Sequence, residues 1–359
     1  MDYLKDQIVT YIGNKRKMLS QISNSIKEID IKGFKFLDLF SGTGVVSRLA
    51  KTCGASEIVS NDLEDYCYVL NSCFLRNEEG DKNLYNEALN RIKELKAAGD
   101  NGSWWVSKYY SPLDDNNVLP GERCFYTQDN AQTIDAAMQY IFSDECDPSL
   151  INLLLGSLIY EASVHVNTSG IFKGFHKNEH GVGQFGGRKK NALDRILGKI
   201  ELNFPVYCDV KTKNVIERMD ASELIARGDE YDIAYFDPPY NQHPYGSNYF
   251  MLNAIAKGEC PQNISKISGI PSDWNRSVYN KREDGVKVLL KNINDINSKY
   301  VILSYSSEAF LSIKEMVAEL AKIGLIMKLE EVNYNVYRGC RNICNRGKKL
   351  QEYIITLRK

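Results

Sequence analysis

Long apolar runs are missing from this chain. None reaches the roughly 20 consecutive apolar residues that a membrane-crossing helix requires, and the opening residues, with Asp2, Lys5 and Asp6, lack the pattern of a signal peptide. A soluble, cytoplasmic protein is expected. Excess charge of one sign is missing as well: 45 lysines and arginines face 46 aspartates and glutamates, a formal net charge of −1. There is no global basic field to hold a polyanion, so any surface for nucleic acid has to be local. Metal-ligand spacing is the third absence. Nine cysteines are scattered without a repeated interval, and the pair Cys340 and Cys344 has no second Cys or His pair to complete a tetrahedral site. Reduced thiols and no metal are expected. Internal repeats and low-complexity linkers are absent too, so the 359 residues read as one large or two ordinary folded domains.

What is there begins with Phe34-Lys35-Phe36-Leu37-Asp38-Leu39-Phe40, a short hydrophobic strand, followed by Ser41-Gly42-Thr43-Gly44 and a helical stretch from Val45 to Cys53. Strand, glycine turn and helix form the first βα unit of a nucleotide-binding sheet. The turn does not satisfy G-x-G-x-x-G, because Ser47 stands where the third glycine belongs, and it lacks the G-K-[ST] of a phosphate loop. A dinucleotide or nucleoside triphosphate is disfavoured, leaving a nucleoside-type ligand over Gly42 and Gly44. The next strand, Glu57 to Asp62, ends in an acid placed to accept hydrogen bonds from ribose hydroxyls. Either feature alone is as readily a plain turn or strand end; the two together favour a nucleoside site.

The second half holds an apolar run, Asp232 to Phe236, that stops at Asp237-Pro238-Pro239-Tyr240. Neither proline can donate to a sheet ladder, so the strand must end there. The Asp237 carboxylate and the stiff proline carbonyls form a row of acceptors beside the Tyr240 ring, a row suited to a planar group that carries N–H donors.

Tyr11-Ile12-Gly13-Asn14-Lys15, Phe36 to Gly44, Asn61-Asp62, Asp220 and Asp237-Pro238-Pro239-Tyr240 follow one another in an order that resembles Dam-like N6-adenine DNA methyltransferases. The resemblance covers both ends of the chain, about two thirds of it. It implies S-adenosylmethionine as cofactor and double-stranded DNA as substrate, with a cognate restriction endonuclease as a further partner. It implies that Tyr11 and Lys15 contact the cofactor near its methionine group, with Tyr11 in place of the usual tryptophan, and that Asp38, Phe40, Ser41, Gly42 and Gly44 form the cofactor turn. Asp62 would bind the ribose. Asp220 and Ala221 match the position facing the cofactor adenine, although Ala221 replaces the usual aromatic. Asp237 would stand at the junction of cofactor and target base. Aspartate there points to adenine, since cytosine-N4 enzymes of this type more often carry serine. On this reading Asp237 and Pro238 accept the two N–H bonds of the target amine, and Tyr240 stacks on a base flipped out of the duplex. Methylation of RNA or of cytosine N4, and a non-catalytic DNA-specificity subunit of the same fold, stay open at this point. A nicotinamide-dependent oxidoreductase fails on the missing third glycine.

The expected fold is α/β: a doubly wound, mostly parallel sheet of the Rossmann-like methyltransferase type with an antiparallel edge hairpin, plus an inserted, mainly helical or irregular target-recognition domain. The catalytic domain is expected from 1–76 and 205–359, the recognition domain from 77–204. Further strands are expected at 206–210, 220–226, 300–305, 326–332 and 350–357, and 242–277 reads as a polar insertion. Lys173, His176, Arg188, Lys189 and Lys190, interleaved with Phe172, Phe175 and Phe185, are the first candidates for DNA contact. Asn248 and Tyr249 are candidates to reach the flipped base, and Arg276, Arg338, Arg341, Arg346, Lys348 and Lys349 are further phosphate candidates. No catalytic role is expected for His243.

Overall fold

The computed structural model describes residues 2–190, 192–239, 242, 244–334 and 350–359. Seven strands, β1 (Lys35–Asp38), β2 (Glu57–Asp62), β3 (Lys213–Arg218), β4 (Tyr231–Phe236), β5 (Ser298–Ser306), β6 (Leu325–Tyr334) and β7 (Leu350–Arg358), form one sheet in the order β3-β2-β1-β4-β5-β7-β6. Strands β1 to β5 run parallel, and β7 lies antiparallel between β5 and β6. Because the strand order reverses between β1 and β4, the loops leaving their carboxyl ends diverge and open a crevice there. The glycine turn follows β1 and the Asp-Pro-Pro stretch follows β4, so both motifs border that crevice.

The helices are α1 (Leu19–Ile29), α2 (Val45–Thr52), α3 (Asp65–Phe74), α4 (Lys82–Ala98), α5 (Val106–Tyr109), α6 (Gln128–Ile141), α7 (Pro148–Val164), α8 (Leu193–Leu197), α9 (Ala221–Ala226), α10 (Tyr245–Asn248), α11 (Phe250–Lys257), α12 (Arg282–Asp295) and α13 (Ile313–Leu320). On one face of the sheet, Ile22 and Ile26 of α1 and Val45 and Leu49 of α2 pack on Phe36, Ile58, Ile233, Ile302 and Ile354. On the other, Leu224 of α9, Leu289 and Ile293 of α12 and Met316 of α13 cover Leu37, Ala234, Phe236, Val301 and Ile355. Both faces of β4 are therefore covered, which is why its sequence is apolar without alternation.

A third core joins α4, α5, α6 and α7 to α3 and α11. Helix α7 is apolar nearly all round, with Leu150, Leu153, Leu154, Leu155, Leu158 and Ile159 buried, as a helix surrounded by others must be. Thus the 77–204 region is docked against the sheet domain through α3 and α11. At the N-terminus, the buried Arg48 guanidinium donates to the carbonyls of Tyr3, Asp6 and Gln7 and lies over the Phe74 ring, fastening the segment that leads into Tyr11.

Four expected elements come out differently. No strand forms at 206–210, where the Val206 N–H is taken by Gln7 Oε1 at 2.6 Å. The strand beside β2 is β3, a polar edge strand. Residues 220–226 are helical, with the Asp220 side chain capping α9 by accepting from Ser222 N at 2.8 Å. Apolar spacing suits a helix over 193–202, but α8 ends at Leu197, before Gly198. The polar insertion at 242–277 contains α10 and α11, and α11 buries Phe250, Met251, Leu252 and Ile255. Among the described residues no helix is long and apolar enough to cross a membrane, and no group of three or more His, Cys, Asp or Glu side chains is placed to hold a metal ion.

Candidate active site

The crevice is a cleft of about 730 Å³, counting its open mouth, lined by Tyr11, Phe40, Gly42, Asp62, Glu64, Met219, Asp220, Ala221, Asp237, Pro239 and Tyr279 among others. Its floor is the turn after β1. Gly42 and Gly44 have φ of +51° and +75°, values that disfavour any residue with a Cβ. Space forbids one as well: a Cβ on Gly42 would collide with the Tyr11 hydroxyl, and one on Gly44 with the Asn71 side chain. Asp62 accepts from Gly42 N at 2.8 Å and from Glu64 N at 3.0 Å.

Asp38, Ser41 and Gly44 support this turn from beneath and are not among the cleft-lining residues. Ser47 Oγ donates to Asp38 Oδ2 at 2.7 Å and meets Ser60 Oγ at 3.1 Å; Ser60 Oγ donates to Asn71 Oδ1 at 2.8 Å. Asn71 Nδ2 in turn donates to Ser41 Oγ and to the Gly42 carbonyl, at 3.1 and 3.2 Å. Burial pushes the Asp38 carboxyl up to about 7.

Asp237, the first residue past β4, lies at the cleft's inner end. Its Oδ1 stands 2.9 Å from Lys15 Nζ, and both side chains are nearly sealed from solvent. Lys15 starts a single 3₁₀ turn, Lys15–Met18, behind an Asn14 cap, and its ammonium also donates to the Gly13 carbonyl at 3.1 Å. Lys15, for which a cofactor contact was expected, thus stands against the Asp237 carboxylate. Burial alone would lower the Lys15 ammonium, but Asp237, with Glu352 and Tyr235 near it, holds it above its ordinary value. Burial pushes the Asp237 carboxyl up, and Lys15 opposes that shift.

Phe40 and Tyr279 form an aromatic wall, their rings edge-on with centroids 5.0 Å apart, and Asn292 Nδ2 donates to the Tyr279 hydroxyl at 2.6 Å. Ala221 lies on this side of the cleft beside Met219 and Asp220. On the opposite side Tyr11 is wedged edge-on against Tyr245 and Tyr249, with centroids 5.8 and 6.0 Å away. The Ile12 backbone is clipped by those two tyrosines: Tyr245 Oη donates to its carbonyl at 2.7 Å, and its N–H donates to Tyr249 Oη at 2.9 Å.

Residues 11–318 match the family described as D12 class N6 adenine-specific DNA methyltransferase. The chain belongs to this family. D12 methyltransferases act on adenine in DNA, so this chain is an enzyme of site-specific adenine methylation. It is similar to the type II methyltransferase M.CviAII of Paramecium bursaria Chlorella virus 1, with 31% identity across 96% of this chain and 97% of the relative. The type II methyltransferase M.NlaIII of Neisseria lactamica is 28% identical across 89% and 90% of the two chains. The modification methylase LlaI of Lactococcus lactis subsp. lactis is 29% identical across 97% of this chain and 55% of its own length.

Within this D12 methyltransferase, Lys173, Arg188, Lys189 and Lys190 are exposed, and His176 is half-buried. The loop carrying them is pinned by the buried Asn167, whose Nδ2 donates to the Cys124 carbonyl at 2.8 Å while its Oδ1 accepts from Gly186 N at 3.0 Å. Asn248 and Tyr249, candidates to reach the flipped base, are both buried, Tyr249 packed between Tyr11, Tyr66 and Phe172 and stacked on Tyr245. Arg276 donates to the carbonyls of Ser272 and Trp274 and lies over the Trp274 ring. Tyr240, His243, Arg338, Arg341, Arg346, Lys348 and Lys349 lie outside the described residues. Sequence reasoning missed Glu64, Met219, Tyr245, Asn275 and Tyr279 in the cleft. The one readable signal was the Tyr245–Tyr249 spacing, which puts both rings on one helical face.

Proposed function

We propose that the cleft binds S-adenosylmethionine and that Asp237 and Pro238 hold the N6 amine of an adenine drawn out of duplex DNA. The observation that carries this reading is the buried Asp237–Lys15 pair, set at the end of β4 on a cleft of nucleoside size. The residues present suit that cofactor. A turn that tolerates no Cβ at Gly42 allows close backbone approach, Asp62 and Glu64 offer acceptors to a diol, and Phe40 with Tyr279 offers aromatic surface to an adenine. Bound there, S-adenosylmethionine supplies an electrophilic methyl group on a sulfonium.

The protein's part is to make a poor nucleophile usable. An exocyclic adenine amine has its lone pair delocalised into the ring. The Asp237 carboxylate and the Pro238 carbonyl accept its two N–H bonds, so the nitrogen is drawn out of the ring plane and its lone pair is aimed. Lys15 keeps Asp237 in its ionised, accepting form. The amine's surplus proton then leaves to Asp237 or to water. Tyr240, next after Pro239, is assigned the stacking partner of the displaced base.

Residues 77–204 are the proposed target-recognition domain, with Lys173, Arg188, Lys189 and Lys190 on DNA phosphates. A cognate restriction endonuclease is the partner this reading adds, in line with the type II relatives. Transfer of a tritiated methyl group from S-adenosylmethionine to duplex DNA, with the product identified after nucleoside digestion, tests the whole reading. N6-methyladenine is expected; N4-methylcytosine, or labelling of RNA in preference to duplex DNA, would overturn it.

Two variants probe the parts. Gly42→Ala strains the turn and displaces Tyr11, so calorimetric affinity for S-adenosylhomocysteine should fall ~10-fold or more. Lys189→Ala/Lys190→Ala should weaken DNA binding uniformly across sequences and reduce the slope of log affinity against log salt by ~1 for each of the two ammonium groups that neutralises a phosphate. An unchanged slope in fluorescence anisotropy titrations would remove both lysines from the interface.

A further inference from the structure

Sequence reasoning gives the ribose to Asp62, yet in the structure both Asp62 oxygens already accept from backbone donors, Oδ2 from Gly42 and Oδ1 from Glu64. Asp62 thus acts as a clasp joining the glycine turn to the loop after β2, with each oxygen committed to one backbone bond and keeping one further acceptor site. A second acid lines the same cleft. Glu64, with only 5% of its surface exposed, accepts on Oε2 from Asn253 Nδ2 at 2.5 Å and from Asn275 Nδ2 at 3.0 Å. Its Oε1 has no donor among the described residues.

The two amides are themselves fixed. Asn253 of α11 accepts Tyr66 N on its Oδ1 at 3.2 Å, and Asn275 Nδ2 is shared with the Leu63 carbonyl at 3.2 Å. One oxygen of Glu64 is therefore saturated and held from two separate parts of the chain, leaving the other as its remaining acceptor. Burial pushes the group up to about 7, against the lowering effect of its bonds from Asn253 and Asn275. A buried carboxylate in that condition gains most from a ligand that brings O–H groups.

We infer that Glu64, through Oε1, is the principal acceptor for the ribose diol of the bound cofactor, while Asp62 chiefly secures the turn. The inference rests on the proposed reading of the cleft as an S-adenosylmethionine site. It also gives the 245–275 segment a function: the helix carrying Asn253 and the loop carrying Asn275 aim the acid that reads the sugar.

Glu64→Gln separates the roles, because the glutamine carbonyl can still accept from both asparagines while its NH2 cannot accept from a hydroxyl. The experiment is calorimetry on the full chain with S-adenosylhomocysteine and its 2′-deoxy and 3′-deoxy analogues, against wild type, Glu64→Gln and Asp62→Asn. In wild type, loss of the hydroxyl that Glu64 accepts should cost ~10- to 100-fold in affinity. In Glu64→Gln the same deletion should cost less than ~3-fold, since the partner is already gone. A deletion cost that persists undiminished in Glu64→Gln and vanishes in Asp62→Asn overturns the inference and restores the ribose to Asp62. If thermal melting shows Glu64→Gln unfolded, Glu64→Asp, which withdraws the charge by one methylene, takes its place with the same two outcomes. Wild type that binds none of the three probes would instead defeat the cofactor reading itself.

Discussion

Asp237→Asn should lower the single-turnover rate of methyl transfer by ~10³-fold, with S-adenosylhomocysteine affinity changed by less than ~10-fold. The substitution keeps the shape of the side chain and takes away the charge. An asparagine presents an NH2 group where the amine needs an acceptor, so donor would face donor at the reacting nitrogen. On the proposed reading cofactor binding has other supports, in the turn around Gly42, the Asp62 and Glu64 carboxylates and the Phe40–Tyr279 wall that line the cleft, and it should outlast the loss. The two readouts therefore come apart. A rate above one tenth of wild type would show that Asp237 does not hold the amine, and a matching collapse in cofactor affinity would show that its work is binding.

The parts of this molecule that were legible in its sequence are those where local chemistry leaves no choice. Two prolines end β4 and two glycines with positive φ make the turn after β1, both dictated by backbone constraints, and β2 ends at Asp62 as expected. Features decided by distant partners were not legible. The resemblance implies a cofactor contact for Lys15. The 3₁₀ turn at Lys15–Met18 also sets its ammonium beside Asp237, a residue more than 200 positions away, and that pairing was not readable. β3 escaped notice because an outer strand paired only with β2 tolerates Lys213, Asn214, Glu217 and Arg218. Tyr249 reads as a polar aromatic beside a catalytic loop, and only the packing of α11 against α3 and α7 makes it a core residue. Asp220 was recognised as a site residue but given to a strand, although Asp followed by Ala-Ser-Glu-Leu-Ile has a capping acid ahead of helical apolar spacing.

Lys15→Met should be the costliest single change to the resting fold. It leaves Asp237 buried without its counter-ion, a loss of ~3–5 kcal/mol when the carboxylate stays ionised. Lys15→Met/Asp237→Asn should recover most of that loss, because no uncompensated charge remains, while staying as inactive as Asp237→Asn alone. The sign of the pH effect follows from the same geometry. Lys15 lowers the Asp237 carboxyl against the upward push of burial, so removing Lys15 raises it further. A carboxyl whose folded value is raised favours the protonated form; the Lys15→Met fold should be least impaired in acid, its deficit growing as pH rises through the folded Asp237 value. Activity should move with it. Protonated Asp237 offers a donor in place of an acceptor, so the acid limb of the pH–rate profile should shift to higher pH in Lys15→Met. Urea unfolding of the three variants across pH, set beside single-turnover profiles, measures both effects. A lysine that merely packed under the strand would cost stability equally at every pH and leave the acid limb in place.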